Sequence, residues 1–154
     1  MTKKAVCPFC EADALKDRQF TESKNFRAIC NIAPILPGHS LIIPKRHVER
    51  FMKLTEKDLI EMIDFSRKVM KILVKTFKFY DFDWTIQEGK CSGQTIPHLH
   101  LHLIPRKKGD LPEGTIWYQK ICGGKKKMIG SDKRKWITPE ELAKTVAKIR
   151  KNIK

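Results

Sequence analysis

Between residues 96 and 105 the chain alternates histidine with leucine: His98, His100 and His102 stand two apart, each followed by a leucine. A period of two predicts a β-strand, because successive side chains of a strand point to opposite faces. The three imidazoles would then share one face at a spacing of about 6.5–7 Å. The leucines would form the core face of the same strand.

A row of titratable rings is a poor way to build a hydrophobic core, because each ring nitrogen needs a polar partner. We therefore interpret the three histidines as a chemical or metal site. Two chemistries fit them: a neutral imidazole that attacks phosphorus while its neighbours bind the phosphate oxygens, or a His-x-His zinc centre with an open position for water. The spacing alone leaves both open.

The segments before this one contain further strand signals. Residues 26–32 and 40–43 are predicted strands, and Pro37 and Gly38 between them break the chain as a hairpin-type connection does. Residues 83–87 form a third predicted strand, and residues 88–95 a loop. No βαβ repeat competes with these signals, so we expect an antiparallel α+β domain.

Two helices have clear start signals. Thr55 is a predicted N-cap, followed by an amphipathic helix of about 20 residues that ends near Phe77. Thr138 and Pro139 open a C-terminal helix with two acidic residues in its first turn. The methionines of the long helix and Trp84 are interpreted as core or dimer-interface residues.

Composition limits the class of protein. The chain has 154 residues, of which 41% are hydrophobic, and it carries a net charge of +15. This predicts one folded domain over residues 1–154 and excludes a disordered chain. No apolar run approaches the ~20 residues that cross a bilayer, so no membrane partner is expected. With no signal peptide in view, the five cysteines predict reduced thiols or metal ligands in a cytoplasmic protein.

Most of the excess charge lies in a basic C-terminal segment, residues 106–154, which has 15 basic and 5 acidic side chains. Trp117, Tyr118 and Trp136 stand among lysine runs, such as residues 125–127. A surface for polyanions, including nucleic acid, is one interpretation. A solvated lysine-rich surface is the interpretation we favour, because no nucleic-acid-binding signature accompanies the charge.

Residues 93–106 resemble the signature of the histidine-triad (HIT) superfamily, and residues 31–44 are similar to its upstream Pro-Gly-His segment. The lead-in at Gln94 and Thr95 is similar to the fragile-histidine-triad branch, which splits dinucleoside polyphosphates. The resemblance implies a HIT-like α+β fold with an antiparallel sheet of about five strands, a long central helix and a C-terminal helix. It also implies a homodimer and an adenine nucleotide as substrate.

The resemblance implies that His100 is the nucleophile, which attacks the α-phosphorus and forms a covalent nucleotidyl-histidine intermediate. Water would then release a nucleoside monophosphate. His39 and His102 would complete the catalytic set. The implied substrate contacts are Asn31 with the ribose, and Gln87, Gln94, Thr95 and His102 with the phosphates.

Cys7 and Cys10 form a Cys-x2-Cys pair in an N-terminal segment, residues 1–30. This spacing lets two thiolates bind one zinc ion. A single pair supplies only two of the four ligands, however, and such pairs also occur as ordinary free thiols. Similarity to microbial histidine-triad proteins implies that His47 and His98 complete a structural zinc site. The other cysteines, Cys30, Cys91 and Cys122, are interpreted as ordinary thiols.

Three other functions stay open at this stage. One is a phosphoramidate hydrolase or nucleotidyltransferase of the same superfamily. Another is a zinc-containing protein that binds nucleic acid or removes adenylate from its ends. The third is a catalytic His-x-His zinc enzyme. A histidine in the third triad position, His102, favours hydrolysis over transfer or phosphorolysis.

Overall fold

A single antiparallel sheet of five strands, in the order β1-β2-β3-β5-β4, organises the described part of the protein. The computed structural model describes residues 7–111 and 134–153. The strands are β1 (Gln19–Glu22), β2 (Phe26–Cys30), β3 (Ser40–Pro44), β4 (Asp81–Ile86) and β5 (Leu101–Arg106). Sequence-based expectations for Trp117, Tyr118, Cys122 and residues 125–127 lie outside the described residues.

Within residues 7–111 and 134–153, three α-helices accompany the sheet: α1 (Ala12–Leu15), α2 (Glu56–Phe77) and α3 (Pro139–Arg150). Single turns of 3₁₀-helix occur at Phe51–Lys53 and Lys90–Ser92. The prediction of an antiparallel α+β fold with a long helix and a C-terminal helix is confirmed. No helix within the described residues is both long and apolar enough to traverse a bilayer.

The β2–β3 connection is the predicted hairpin-type link, with Cys30 opposite Ser40 at its base. Gly38 has a φ of 83°, and a Cβ atom there would lie 2.9 Å from the Phe77 ring. Glycine is therefore required both for the backbone conformation and for the space. The tight turn delivers His39 to the start of β3.

The predicted strand over residues 96–105 is too long at its beginning, because β5 starts at Leu101. His98 and His100 precede the strand. Pro97 has no N–H group that could donate to a strand ladder. The His98 ring donates from Nε2 to the Pro44 carbonyl oxygen at 2.9 Å, so this carbonyl already has a side-chain partner. The chain bends here instead of pairing with β3.

The long helix α2 begins as predicted, because Thr55 and Asp58 form a reciprocal capping box. It ends at Phe77, where Lys78 adopts a left-handed conformation with φ 59°. Its buried face packs on one side of the sheet. The helical spacing of the apolar residues also predicts Ile63 on this face, but Ile63 lies at the edge of the apolar stripe and is 52% exposed.

Helix α3 also begins as predicted, with a capping box between Thr138 and Glu141 and Pro139 in its first turn. Val146 and Ile149 bury their side chains in the same core as α2. Both helices thus cover one face of the sheet.

The opposite face of the sheet carries a smaller apolar cluster under the N-terminal segment: Phe9, Leu15, Ile29, Leu41 and Ile43. Leu41 is the direct cross-strand partner of His102, and directly opposite residues share a face. The histidines therefore lie on the face that the long helices leave open, beside Phe9.

Candidate active site and metal site

Two histidines that are far apart in the sequence meet inside the protein. His39, directly before β3, places its Nε2 atom 2.8 Å from Nδ1 of His102 in β5. His39 Nδ1 accepts a hydrogen bond from the Ile35 N–H group at 3.1 Å. A neutral imidazole has one donor and one acceptor nitrogen, so the His39 proton resides on Nε2 and is donated to His102. The proton of His102 is consequently on its own Nε2.

His100 is oriented by the backbone. Its Nδ1 atom donates to the His98 carbonyl oxygen at 2.7 Å, and a carbonyl oxygen can only accept. The lone pair of the neutral ring is therefore on Nε2. The ring centroid of His100 lies 4.9 Å from that of His102. The site thus presents an acceptor nitrogen on His100 and an N–H donor on His102 side by side.

His102 Nε2 is buried and has no hydrogen-bond partner within the described residues. A buried polar group without a partner costs free energy. An anionic ligand oxygen at this position would supply the missing acceptor. The unsatisfied N–H group is therefore available to an acceptor atom of a ligand.

Burial keeps this cluster neutral. Burial, together with the nearby charge of Arg134, lowers the pKa of His39 to about 3. Burial also places the pKa of His102 well below 6.5, reinforced by His39 and His100. The pKa of His100 is lowered by burial too, although the bond to the His98 carbonyl opposes the shift. Neutral rings are the form in which one nitrogen can act as a nucleophile.

Beside this cluster lies a second one, in which ligand atoms of Cys7, Cys10, His47 and His98 all fall within 4.8 Å of one another. The Sγ–Nδ1 distances are 3.4 Å for Cys7–His98, 3.3 Å for Cys10–His47 and 3.6 Å for Cys10–His98. Zinc with ordinary Zn–S and Zn–N bonds has tetrahedral edges of about 3.5 Å between such ligands. The four side chains expected from the resemblance are thus together and could hold a metal ion.

We call these four residues the metal cluster. Both of its histidines direct Nδ1 to the thiols, because Nε2 of each ring faces another polar partner. His98 donates its Nε2 proton to the Pro44 carbonyl oxygen at 2.9 Å, and His47 Nε2 lies 3.4 Å from Glu49 Oε1. Such outer partners fix the tautomer of a metal-binding histidine. Burial lowers the pKa of His98 to about 4, so its Nδ1 atom is available as a ligand.

The cysteine thiols are also positioned by the backbone. The Cys10 N–H group donates to the Cys7 carbonyl oxygen at 3.0 Å and closes the turn between them. Burial raises the pKa of the Cys10 thiol, and Cys7 raises it further. Cys30 is a free thiol in the core, where burial raises its pKa to about 12, and Cys91 is a free exposed thiol.

The residues expected to contact substrate are distributed around the histidines. Asn31 is buried, with Oδ1 accepting from the Ala33 N–H group and Nδ2 lying 3.3 Å from His39 Nε2. Gln94 donates to the His98 carbonyl oxygen at 3.3 Å. Gln87 follows β4 and is half-buried, whereas Thr95 is exposed. Their roles toward a substrate remain predictions.

Sequence reasoning missed two neighbours of the histidines. Phe9 sets its ring edge-on against His98 and His100, at centroid distances of 5.7 and 5.5 Å. Arg134 is close enough for its charge to act on His39 and His102. Its segment is tied to the site where the Ile137 N–H group donates to the Ile32 carbonyl oxygen at 3.0 Å. In the sequence, Phe9 lies between Cys7 and Cys10, and Arg134 lies in a basic run. Neither position indicates that the residue contacts or approaches the histidines.

The fold and the site together define an α+β protein with a neutral histidine cluster next to a Cys2His2 set of side chains that could hold a metal ion. The family model of the HIT domain matches residues 13–109. The chain therefore belongs to the HIT family, as its motifs indicated.

The chain is similar to proteins that are named for an activity. The chain is 41% identical over 102 residues to the asymmetrical bis(5'-nucleosyl)-tetraphosphatase of Schizosaccharomyces pombe. The match covers 66% of this chain and 56% of that protein. The chain is 36% identical to the bis(5'-adenosyl)-triphosphatase of Dictyostelium discoideum, over 66% of this chain and 68% of that protein. The chain thus spans little more than half the length of the tetraphosphatase.

Among solved structures, that of a hypothetical histidine triad nucleotide-binding protein from Sulfolobus tokodaii superposes with a TM-score of 0.73 at 27% identity. The superposition covers 96% of this chain and 91% of that one. The described residues therefore share the fold of that histidine triad protein.

Proposed function

We propose that this chain, as one domain over residues 1–154, is a nucleotide hydrolase that cleaves dinucleoside polyphosphates at the α-phosphate through His100. The observation that carries the proposal is the bond from His100 Nδ1 to the His98 carbonyl oxygen, 2.7 Å long. It leaves the Nε2 lone pair of a neutral ring available for attack. The activities of the two relatives named above support the same reaction class.

In the first step the Nε2 lone pair of His100 forms a bond to the α-phosphorus. The bond from phosphorus to the bridging oxygen breaks, and the electron pair leaves with the second nucleotide. The product is a nucleotidyl-histidine. A nucleoside polyphosphate is a stable anion near neutral pH, so the leaving group needs no proton.

In the second step a water oxygen attacks the same phosphorus and the P–N bond breaks. The electron pair returns to His100 Nε2, the water gives up one proton to solvent, and a nucleoside monophosphate is released. His102 assists both steps, because its buried Nε2–H group donates to a phosphoryl oxygen whose charge grows in the transition state.

The positive charge for a polyanionic substrate comes from arginine and lysine rather than from the neutral histidines. Arg134 acts electrostatically on His39 and His102, so it is close enough to attract phosphate as well. We place the ribose at Asn31 and the phosphate chain at Gln87 and Thr95, with an adenine nucleotide as substrate.

A substrate panel tests the activity. Zinc-loaded protein is incubated with diadenosine tri- and tetraphosphate and with an adenosine phosphoramidate, which represents the other HIT reaction class. We expect cleavage of the dinucleotides and a loss of about 10⁴-fold in kcat for His100→Ala. Ser92→Ala, on the neighbouring loop with an exposed side chain, is the control. Full activity of His100→Ala, or cleavage of the phosphoramidate alone, would contradict the proposal.

We also propose that the metal cluster holds one structural zinc ion. Two thiols and two imidazole nitrogens form a closed set of four ligands, the type found in structural sites. Bound zinc would neutralise the thiolates and cross-link the N-terminal segment to His98. The same residue provides the carbonyl that orients His100.

A homodimer is the third part of the proposal. Strand β4 is the last strand of the sheet order and has no neighbour on its outer side among the described residues. Trp84 on this strand is 41% exposed, and Tyr80 just before it is 73% exposed. Pairing with the same strand of a second copy would cover these aromatic rings and make the sheet continuous.

A further inference from the structure

The loop between β4 and the histidines is closed by one side chain. Gln94 accepts a hydrogen bond at Oε1 from the Gly89 N–H group at 2.7 Å. Its backbone N–H group donates to the Gly89 carbonyl oxygen at 3.2 Å. Gln94 is thus bound to Gly89 twice, once through the backbone and once through the side chain.

The other end of the same amide reaches the active site. Gln94 Nε2 donates to the His98 carbonyl oxygen at 3.3 Å, and His100 Nδ1 donates to the same oxygen at 2.7 Å. A carbonyl oxygen has two lone pairs and can serve both donors. The oxygen that orients His100 is therefore itself held by Gln94.

We propose that Gln94 is a positioning residue: it fixes the His98 carbonyl group, and through that group it fixes the orientation and tautomer of the His100 ring. The proposal rests on the proposed role of His100 as the nucleophile. It assigns Gln94 a place behind the reacting nitrogen, whereas the family resemblance implied a contact with the phosphates.

The chemistry of the side chain explains why glutamine suits this position. One end must accept from Gly89 and the other must donate to His98, and among side chains of this length only a primary amide offers both. A glutamate would retain the acceptor for Gly89. Its second oxygen would meet the His98 carbonyl oxygen as another acceptor and repel it.

Gln94→Glu is the informative variant, and Ser92→Glu is its matched control. Ser92 lies on the same loop and is exposed, so the control introduces the same charge without touching the His98 carbonyl. Two quantities are measured on zinc-loaded protein: the tautomer of the His100 ring by long-range ¹H–¹⁵N correlation, and kcat and KM for diadenosine tetraphosphate. The His100→Ala variant assigns the ring signals.

In Gln94→Glu we expect the His100 ring to change from one tautomer with the proton on Nδ1 to a mixture. We expect kcat to fall by about ten- to a hundredfold, the scale of a misplaced reacting group, with KM changed less than threefold. In Ser92→Glu the tautomer should be that of the unaltered protein. A raised KM with an unchanged tautomer in Gln94→Glu would instead indicate a phosphate contact and overturn the proposal. An unchanged tautomer with unchanged kinetics would overturn it too.

Gln94→Met provides a second route if the carboxylate variant does not fold. It preserves the length of the side chain and removes both hydrogen bonds, and the same tautomer shift is expected. The ring measurement needs no substrate. If the unaltered protein cleaves no dinucleotide but the tautomer shift occurs, the proposed function fails while the positioning role of Gln94 stands.

Discussion

The Nε2 atom of His39 lies 2.8 Å from Nδ1 of His102, although 63 positions separate the two residues. The bond links the beginning of β3 to β5, and it determines that the proton of His102 is on Nε2. His39 thereby leaves His102 with an N–H group that is free to donate to the substrate in the proposed reaction, and His39 itself need not touch the substrate. This arrangement leads to the first prediction.

Replacing His39 with leucine should lower kcat about 10²-fold or more, the effect of removing one donor to a developing negative charge. Without the donor from His39, the His102 proton can move to Nδ1, and Nε2 then repels a phosphoryl oxygen. His39→Gln is the matched variant, because its amide N–H group can donate to His102 and restore part of the rate. Equal activity of the two variants would show that donation from position 39 is unimportant.

Replacing Cys10 with serine should remove zinc from the metal cluster, because thiolate is the ligand that completes the set. Elemental analysis should find about one zinc per chain in the unaltered protein and in Cys91→Ser, whose exposed thiol lies outside the cluster. Zinc at a hundredfold excess over its Kd should raise the free energy of unfolding by about 2.7 kcal/mol. Full zinc content in Cys10→Ser would refute the four-ligand set.

Gly38→Ala should destabilise the protein by about 1–3 kcal/mol in urea unfolding, because it combines backbone strain with a clash against the Phe77 ring. Gly109→Ala separates the two effects. Gly109 has a similar φ of 77°, but a Cβ atom there meets nothing within 4 Å. We expect the loss at position 109 to be the smaller of the two. Equal losses would mean that the contact with Phe77 contributes nothing.

The capping box of α2 should contribute a pH-dependent part of the stability. Hydrogen bonds from the Thr55 backbone and from Arg46 lower the pKa of Asp58. The contribution is therefore complete above the unfolded pKa of about 3.9 and is lost as the pH falls through the lower folded value. Asp58→Asn should cost about 0.5–1 kcal/mol near neutral pH, and the difference should shrink below about pH 4. A difference independent of pH would exclude the charge as its origin.

Trp84→Glu should convert the proposed homodimer into a monomer, as measured by light scattering coupled to size exclusion, because it places a charge on the exposed edge of β4. Lys24→Glu is the control, since it lies in the β1–β2 turn at the other end of the sheet order. A monomeric unaltered protein, or a dimer that survives Trp84→Glu, would contradict pairing through this edge.

Elements with local signals were predictable from the sequence. Helices α2 and α3 begin directly after their N-caps Thr55 and Thr138, as expected, because capping depends on residues three apart in the chain. The four-residue elements α1 and β1 were missed, because a segment of four residues is too short to show the hydrophobic period of a helix or a strand. The beginning of β5 was placed five residues too early, because the Pro44 carbonyl that His98 engages belongs to another strand.

The sequence by itself determined the residue types and their order: the histidine row, the Cys-x2-Cys pair, the helix caps and the family to which they belong. Only the tertiary structure decided which nitrogen of each histidine carries the proton. That choice depends on the partner of the other nitrogen, and for His102 the partner is the distant His39. For His98, whose Nε2 atom faces the Pro44 carbonyl, the same rule directs Nδ1 to the thiols. Hydrogen bonds between distant segments thus decide the tautomers of His98 and His102, which the spacing left open.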